Sequence, residues 1–231
     1  MVLSKATDRV FVNFLPRRPL TMSPRALLPS AVTLSSVVAA TIAALVLVVA
    51  PRSAPRDVVI AACLSWSLLA DRLDGALARR LGVTSSMGAQ LDSLADATAF
   101  GVVPALWIAG RHDPSLPILV AAVVYVVAAV VRLARFASVG LQPSRLGPSF
   151  HGLPSPAAAA VVVVVVAVDA LAFGGTSAAV SLIEAAVVVV VAGLMLAPFP
   201  YPKHGVGFVP FAVLVPLALL ALFFVASGVA P

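Results

Sequence analysis

The sequence predicts an all-α, polytopic membrane protein. Hydrophobic residues make up 61% of the 231 residues and charged residues only 10%, and the mean hydropathy is +1.12. Several apolar runs approach the roughly 20 residues that a helix needs to cross a bilayer core of about 30 Å. Because backbone groups in lipid must be satisfied within the chain, we expect these runs to be helices.

Proline, glycine and polar breakers divide the chain into seven predicted spans. The spans cover residues 28–50, 57–79, 86–110, 115–138, 154–173, 177–197 and 208–228. The breakers are Pro51 with Pro55, Gly82, Asp113 with Pro114, Gly140 to Pro148, Gly174 with Gly175, and Pro198 to Gly207. We therefore expect three regions: an N-terminal segment (1–27), a six-helix transmembrane domain (28–200) and an additional C-terminal helix (201–231).

The N-terminal segment mixes basic residues with phenylalanine and leucine, which favours a short interfacial helix, with a disordered tail as the alternative. The net charge is +6, but the basic residues follow the predicted topology. Twelve of the fifteen lysines and arginines lie before the first span or at span ends and loops on the same side of the membrane as the N-terminus. The other three lie on the opposite side. By the positive-inside rule, the N-terminus and these loops are predicted to be cytoplasmic. This pattern indicates topology and lipid contacts in the cell membrane, and no nucleic-acid partner.

Four of the nine acidic residues fall in one short window around the second and third spans. Asp71 and Asp74 are spaced i, i+3, and Asp92 and Asp96 are spaced i, i+4, so each pair shares one helix face. A short turn near Gly82 would make the two spans antiparallel and bring both pairs to the same height. Carboxylates in apolar helices need compensation, and oxygen-only ligands suit Mg²⁺, Mn²⁺ or Ca²⁺ rather than zinc.

Small residues and one arginine accompany these aspartates. Gly75, Ala78 and Gly88 leave room for a bulky ligand, and Arg79 places a planar cation suited to a pyrophosphate one turn away. Together with a divalent metal, these residues indicate phosphoryl transfer on a nucleotide-linked substrate. The alternative interpretation is a set of buried salt bridges between the aspartates and neighbouring arginines.

The window from Asp71 to Asp96 resembles the signature of the CDP-alcohol phosphotransferase family, D-x2-D-G-x2-A-R-x8-G-x3-D-x3-D, at every fixed position. The resemblance implies a six-helix catalytic core within residues 28–200, a homodimer, and a site open to the cytoplasm and the bilayer. It also implies that Asp71, Asp74, Asp92 and Asp96 hold two Mg²⁺ or Mn²⁺ ions, with Asp96 as the general base. The residues that it implies for the CDP-lipid are Pro29, Thr33, Gly75, Ala78, Arg79, Ser85 and Gly88, with Ser30 replacing the usual asparagine.

Three further segments, 88–105, 131–136 and 150–158, resemble the phosphatidylserine synthase branch of that family. This resemblance implies that CDP-diacylglycerol and L-serine react to give phosphatidylserine and CMP. A serine carboxylate needs a cation, which Arg132 or Arg135 could supply, and His151 is a further candidate for the acceptor pocket. The alternatives are a related enzyme that uses glycerol 3-phosphate or inositol phosphate, or a cation-coupled transporter.

Three polar residues lie away from this window. His112 falls in a predicted outer loop, and we interpret it as ordinary loop polarity. Asp169 and Glu184 lie in the fifth and sixth spans toward the outer half. They are functional candidates because intramembrane acids are costly, with protonation or hydration near the surface as the alternative.

Overall fold

The structure is a computed structural model that describes residues 24–113, 115–140, 142–144, 147–172 and 178–202, together with parts of the stretch 215–228. Its helices are α1 (Pro24–Val49), α2 (Ala54–Leu81), α3 (Ser86–Asp96), α4 (Val103–Arg111), α5 (Leu116–Val139), α6 (Ser155–Ala172) and α7 (Ala178–Leu196). A π-helix (Ala97–Val102) joins α3 to α4 in one continuous rod. The six predicted spans of the core are therefore confirmed as helical.

Within the part of the chain that the structure describes, five helical stretches are long and apolar enough to cross a membrane. They are Pro24–Val49, Ser86–Arg111, Leu116–Val139, Ser155–Ala172 and Ala179–Leu196. At 28 residues, α2 is about 42 Å long and is also long enough, but it carries ionisable residues toward both ends. Large apolar side chains such as Val48, Leu116 and Val123 are exposed on the outside of the bundle, as a lipid-facing surface requires.

Small residues fill much of the space between the helices. Alanines from five helices are fully or almost fully buried in one core, namely Ala40, Ala43, Ala61, Ala99, Ala121, Ala128, Ala129, Ala158, Ala159 and Ala160. Within a membrane, such residues let helix backbones approach closely, which strengthens van der Waals packing where the hydrophobic effect contributes little. The larger residues Trp107, Tyr125 and Phe100 complete the core.

A short turn connects α2 to α3, as predicted. Gly82 has a φ of +64°, the left-handed conformation that favours glycine at a helix C-terminus. The N–H of Val83 donates to the carbonyl of Ala78 at 3.0 Å. The hydroxyl of Ser85 then accepts the N–H of Gly88 at 3.0 Å and caps the start of α3.

The helices α2 and α3 do not pack against one another as a tight hairpin. Among the described residues they make few close backbone contacts, whereas α1 packs extensively on α2 and also contacts α3. The predicted short connection is therefore present, and α1 rather than α3 is the main packing partner of α2 among the described residues.

A small antiparallel sheet, absent from the sequence-based prediction, adds to the helical fold. Strands β1 (Gln142–Ser144), β2 (Gly147–His151) and β3 (Pro200–Pro202) lie in the order β1-β2-β3. Beyond β2, the N–H of Leu153 donates to the carbonyl of Leu194, which would otherwise be unpaired near the end of α7. The sheet therefore ties the α5–α6 connection to the C-terminal end of α7.

Both chain ends lie partly outside the described residues. The predicted interfacial helix falls within 1–23, which is outside them, and α1 begins at Pro24. In the predicted seventh span, the described residues 217–220 and 222–224 are helical. Leu222 is fully buried in the core, so this part of the C-terminal segment packs against the bundle.

Candidate functional site

Three aspartates from two helices meet at one end of the bundle. Oxygen atoms from the carboxylates of Asp71, Asp92 and Asp96 all lie within 4.8 Å of one another. Asp71 comes from α2, and Asp92 and Asp96 come from the last turns of α3. All three side chains are half-buried, so they stay accessible to a ligand. We call Asp71, Asp74, Asp92 and Asp96 the aspartate cluster.

The fourth member, Asp74, is held by α1. The hydroxyl of Thr33 donates to Asp74 Oδ2 at 2.5 Å, and both side chains are buried. Thr33 Oγ1 also lies 3.2 Å from the carbonyl oxygen of Pro29. Asp74 remains within electrostatic range of Asp92. The structure therefore places Thr33 and Pro29, both predicted to contact the CDP-lipid, in direct connection with the aspartate cluster.

The donor set of the aspartate cluster fits a hard divalent cation. It consists of carboxylate oxygens alone, which suits Mg²⁺ or Mn²⁺. The nearest described ion pair is weak, since Arg72 Nε lies 3.9 Å from Asp71 Oδ2 and its side chain is half-exposed. A contact this long and this exposed compensates Asp71 only weakly, and four carboxylates so close together favour a bound cation.

The guanidinium of Arg79 lies over Gly75, one turn earlier on α2. A Cβ atom added at Gly75 would lie 3.2 Å from a terminal nitrogen of the Arg79 guanidinium. The absence of a side chain at Gly75 thus lets the guanidinium fold back toward Asp74, with which it interacts electrostatically. Ala78 lies beside Arg79 and is half-buried, so the small-residue face predicted from the sequence is present.

Ser85 and Gly88 have a structural explanation in the helix cap. The Ser85 hydroxyl is already used as an acceptor by the Gly88 N–H. A Cβ at Gly88 would lie 3.2 Å from that hydroxyl oxygen. Ser85 is exposed, and its O–H can still donate to a ligand while its oxygen caps the helix. The predicted lipid contact is therefore compatible with the cap.

The π-helix directly after Asp96 was not predicted. The N–H of Val103 donates to the carbonyl of Thr98, five residues back. The carbonyl of Phe100 would pair with the N–H of residue 104 in an α-helix, but Pro104 has none. The Tyr125 hydroxyl donates to it instead, at 3.0 Å. Such π segments are frequent at functional sites, and the proline inside this span was the signal that could have revealed it.

Arg132 lies beside the aspartate cluster. Its guanidinium is buried and within electrostatic range of Asp96 and Asp71. One terminal nitrogen donates to the hydroxyl of Ser155, at the start of α6, at 2.9 Å. Ser155 is fully buried and was not a predicted site residue. A buried cation next to the predicted base and a hydroxyl is a suitable position for an anionic group of a small acceptor.

Arg135 and His151 lie in other surroundings. Arg135 donates to the carbonyl of Leu196 at 3.0 Å, so it caps the C-terminal end of α7. His151 is exposed in β2, where it pairs with Pro200. Of the three residues predicted to contact the acceptor, the structure brings only Arg132 into electrostatic contact with the aspartate cluster.

The fold and the site together define an integral membrane protein that carries an acidic, oxygen-ligand site at one end of a helical bundle. The family model described as CDP-alcohol phosphatidyltransferase matches residues 26–199. The chain belongs to this family.

Curated relatives agree with the family. The chain is 36% identical over 175 residues to a CDP-diacylglycerol–serine O-phosphatidyltransferase of Mycobacterium leprae, an alignment that covers 74% of this chain and 58% of the relative. It is 31% identical over 140 residues to the protein of that name from Methanocaldococcus jannaschii, covering 60% of this chain and 61% of the relative. It is 40% identical over 136 residues to the protein of the same name from Mycobacterium tuberculosis, an alignment that covers 57% of this chain and 46% of the relative. The chain thus spans about half to three fifths of these relatives.

Proposed function

We propose that this protein is a CDP-diacylglycerol–serine O-phosphatidyltransferase. It would transfer the phosphatidyl group of CDP-diacylglycerol to the hydroxyl of L-serine and release CMP. The observation that carries the proposal is the position of Arg132, a buried cation next to Asp96. The names of the relatives support the same acceptor.

The aspartate cluster would hold two Mg²⁺ or Mn²⁺ ions, which neutralise the pyrophosphate oxygens and make CMP a better leaving group. Arg79 would add a planar cation for the pyrophosphate, at a position that Gly75 keeps open. Thr33 holds Asp74 in place through its hydrogen bond. Pro29, Ala78, Ser85 and Gly88 would complete the slot for the CDP-lipid.

Asp96 would act as the general base. Its carboxylate would accept the proton of the serine hydroxyl as that oxygen attacks the phosphorus of the phosphatidyl group. A bond forms between the serine oxygen and this phosphorus, and the bond from the phosphorus to the CMP oxygen breaks. CMP leaves with the electron pair of that bond. A positioned base of this kind contributes about 10²- to 10⁴-fold to the rate.

Arg132 would bind the carboxylate of serine. A guanidinium can bind a carboxylate with two parallel hydrogen bonds, and the buried guanidinium of Arg132 lies within electrostatic range of Asp96. Binding there would bring the serine hydroxyl toward Asp96. Glycerol 3-phosphate and inositol phosphate are also anionic, so the acceptor has to be tested directly.

We further propose that the aspartate cluster faces the cytoplasm and that the protein is a homodimer in the cell membrane. The orientation is supported by the excess of basic residues at the aspartate end, which includes Arg72, Arg79, Arg80, Arg132 and Arg135. Accessibility of single cysteines introduced into the turn at 82–85, in intact cells and in inverted vesicles, would test the orientation. Light scattering of the detergent-solubilised protein would test the dimer.

The acceptor is tested by incubating the purified protein with CDP-diacylglycerol, Mg²⁺ or Mn²⁺, and one alcohol at a time. We expect release of CMP and formation of phosphatidylserine with L-serine, and loss of both after chelation by EDTA. Activity with glycerol 3-phosphate or inositol phosphate, and none with serine, would overturn the proposed acceptor. Cation transport into vesicles without any CMP release would overturn the enzyme and favour a transporter.

A further inference from the structure

A second group of potential metal ligands lies at the opposite end of the bundle. One ligand atom each from His112, Asp169 and Glu184 lies within 4.8 Å of the other two. Along α2, the distance from Asp57 at this end to Asp74 in the aspartate cluster is about 25 Å. The two groups are therefore separate sites. We call His112, Asp169 and Glu184 the His112 cluster.

The His112 cluster is buried and joins three parts of the chain. The exposed fractions of its members are 5%, 2% and 2%. His112 directly follows α4, Asp169 lies on α6 and Glu184 lies on α7. The interpretation of His112 as loop polarity is therefore wrong, because its Nε2 atom lies 2.5 Å from Glu184 Oε2. The sequence separation of 72 residues concealed this contact.

Each carboxylate in the His112 cluster has one oxygen without a hydrogen-bond partner among the described residues. Asp169 Oδ2 accepts a hydrogen bond from Arg111, and Glu184 Oε2 is the atom next to His112. Asp169 Oδ1 and Glu184 Oε1 are buried and have no hydrogen-bond partner among the described residues. Buried carboxylate oxygens are costly to leave unpaired. These two atoms therefore point to a ligand that accepts electron pairs from oxygen.

The surrounding charges also leave a place for a cation. Arg111 bonds both Asp57 and Asp169. Asp57 further accepts the indole N–H of Trp107 at 2.8 Å and lies 3.7 Å from Arg56. Two guanidiniums thus face three carboxylates in this part of the described structure. With a neutral imidazole at His112, one negative charge remains uncompensated.

From this geometry we infer that the His112 cluster is a binding site for a divalent transition-metal ion, with Zn²⁺ as the preferred ion. Imidazole nitrogen and carboxylate oxygen both belong to the ligand types that Zn²⁺ takes in proteins, and catalytic zinc sites use three protein ligands. The imidazole also distinguishes this site from the oxygen-only aspartate cluster, which favours Mg²⁺ or Mn²⁺. Arg111, which donates a hydrogen bond to Asp169 Oδ2, would orient this carboxylate toward the ion.

The bound ion would join α4, α6 and α7 at the end of the bundle away from the aspartate cluster. Because it would bind the folded state and has no preformed site in the unfolded chain, it would stabilise the fold. This inference is independent of the proposed transferase activity. A proton on His112, paired with Glu184, is the competing occupant and would leave the cluster closed to metal.

The test uses the full chain with Asp71→Asn and Asp92→Asn, so that the aspartate cluster cannot supply the signal. After chelator treatment, Zn²⁺ is titrated by calorimetry in the presence of excess Mg²⁺, and Co²⁺ is titrated by visible absorption. We expect one equivalent of each ion, with Co²⁺ bands typical of nitrogen and oxygen ligands. Removing a residue that only hydrogen-bonds to a metal ligand already lowers metal affinity by about 10- to 100-fold. The variants His112→Gln and Glu184→Gln, which each remove a ligand, should therefore lose at least about 10- to 100-fold in Zn²⁺ affinity.

His151→Gln, which removes an exposed histidine, is the matched control and should bind Zn²⁺ as the parent does. Stoichiometric Zn²⁺ binding that survives His112→Gln, or no binding to the parent, would overturn the inference. A second measurement on the unmodified chain avoids reliance on variants that fold poorly. In excess Mg²⁺, which would occupy the aspartate cluster, Zn²⁺ should raise the thermal unfolding midpoint of this chain and saturate at one equivalent, and an unchanged midpoint would also overturn the inference.

Discussion

The hydroxyl of Thr33 on α1 lies 2.5 Å from Oδ2 of Asp74 on α2. This contact links two helices across 41 positions of sequence and holds Asp74, the member of the aspartate cluster that is buried rather than half-buried. The contact lies within the extensive packing of α1 on α2. The start of α1 therefore helps to shape the acidic site.

Replacing Thr33 by valine should lower the activity of the aspartate cluster, because valine has nearly the shape of threonine but cannot donate the hydrogen bond to Asp74. A hydrogen bond to a charged group contributes about 1.5–3 kcal/mol, so we expect a roughly 10- to 150-fold loss in kcat/KM, measured by CMP release. Thr33→Ser should retain most of the activity. Thr41→Val on the same helix removes a hydroxyl that bonds only to its own helix backbone and serves as the control. Equal activities of Thr33→Val and Thr41→Val would contradict the role of this contact.

Replacing Asp96 by asparagine should abolish turnover while largely sparing binding of the CDP-lipid. The amide cannot accept the proton of the acceptor hydroxyl, so we expect the rate to fall about 10²- to 10⁴-fold. Single-turnover CMP release measures the rate, and calorimetry with CDP-diacylglycerol in nanodiscs measures binding. Asp113→Asn, at an almost fully exposed acid paired with Arg52, is the control. A variant that keeps its turnover would remove Asp96 as the base.

Replacing Arg132 by glutamine should raise the KM for serine roughly tenfold or more and leave the KM for CDP-diacylglycerol nearly unchanged. The reason is the loss of a buried, charge-assisted contact to the acceptor carboxylate. Arg132→Lys should recover only part of the affinity, because an ammonium cannot form the planar pair. Arg135→Gln is the control, since Arg135 bonds the end of α7. Parallel increases in both KM values would indicate a structural role instead.

Replacing Gly152 by alanine should destabilise the fold. Gly152 has a φ of +77°, and an added Cβ would lie 2.4 Å from the carbonyl oxygen of Met195, a backbone atom that cannot move freely. The strained backbone alone costs on the order of 1–3 kcal/mol. The measurement is the thermal unfolding midpoint in detergent, which should fall by several degrees.

Gly193→Ala provides the matched control for this substitution. A Cβ at Gly193 meets no atom within 4 Å, and alanine is about 1 kcal/mol more favourable than glycine inside a helix. Its midpoint should stay the same or rise. A Gly152→Ala variant as stable as the parent would show that the α5–α6 connection is not held tightly against α7.

The helices and the aspartate cluster were predictable because both depend on local geometry. The length of an apolar run determines whether a helix can cross a bilayer. The spacing of Asp71, Asp74, Asp92 and Asp96 determines which share a helix face, and Gly82 marks the turn that brings the two pairs together. The small sheet was missed because its strands contain prolines, which lack the N–H that a ladder needs.

The contacts between helices were not predictable in the same way. In a membrane the lipid-facing and the buried sides of a helix are both apolar, so hydropathy does not reveal how a helix is rotated or which partner it meets. Ser155 beside Arg132, Thr33 beside Asp74 and Glu184 beside His112 each join residues more than 20 positions apart. The residues supplied the chemistry of each site, but which side chains meet depends on how the helices pack.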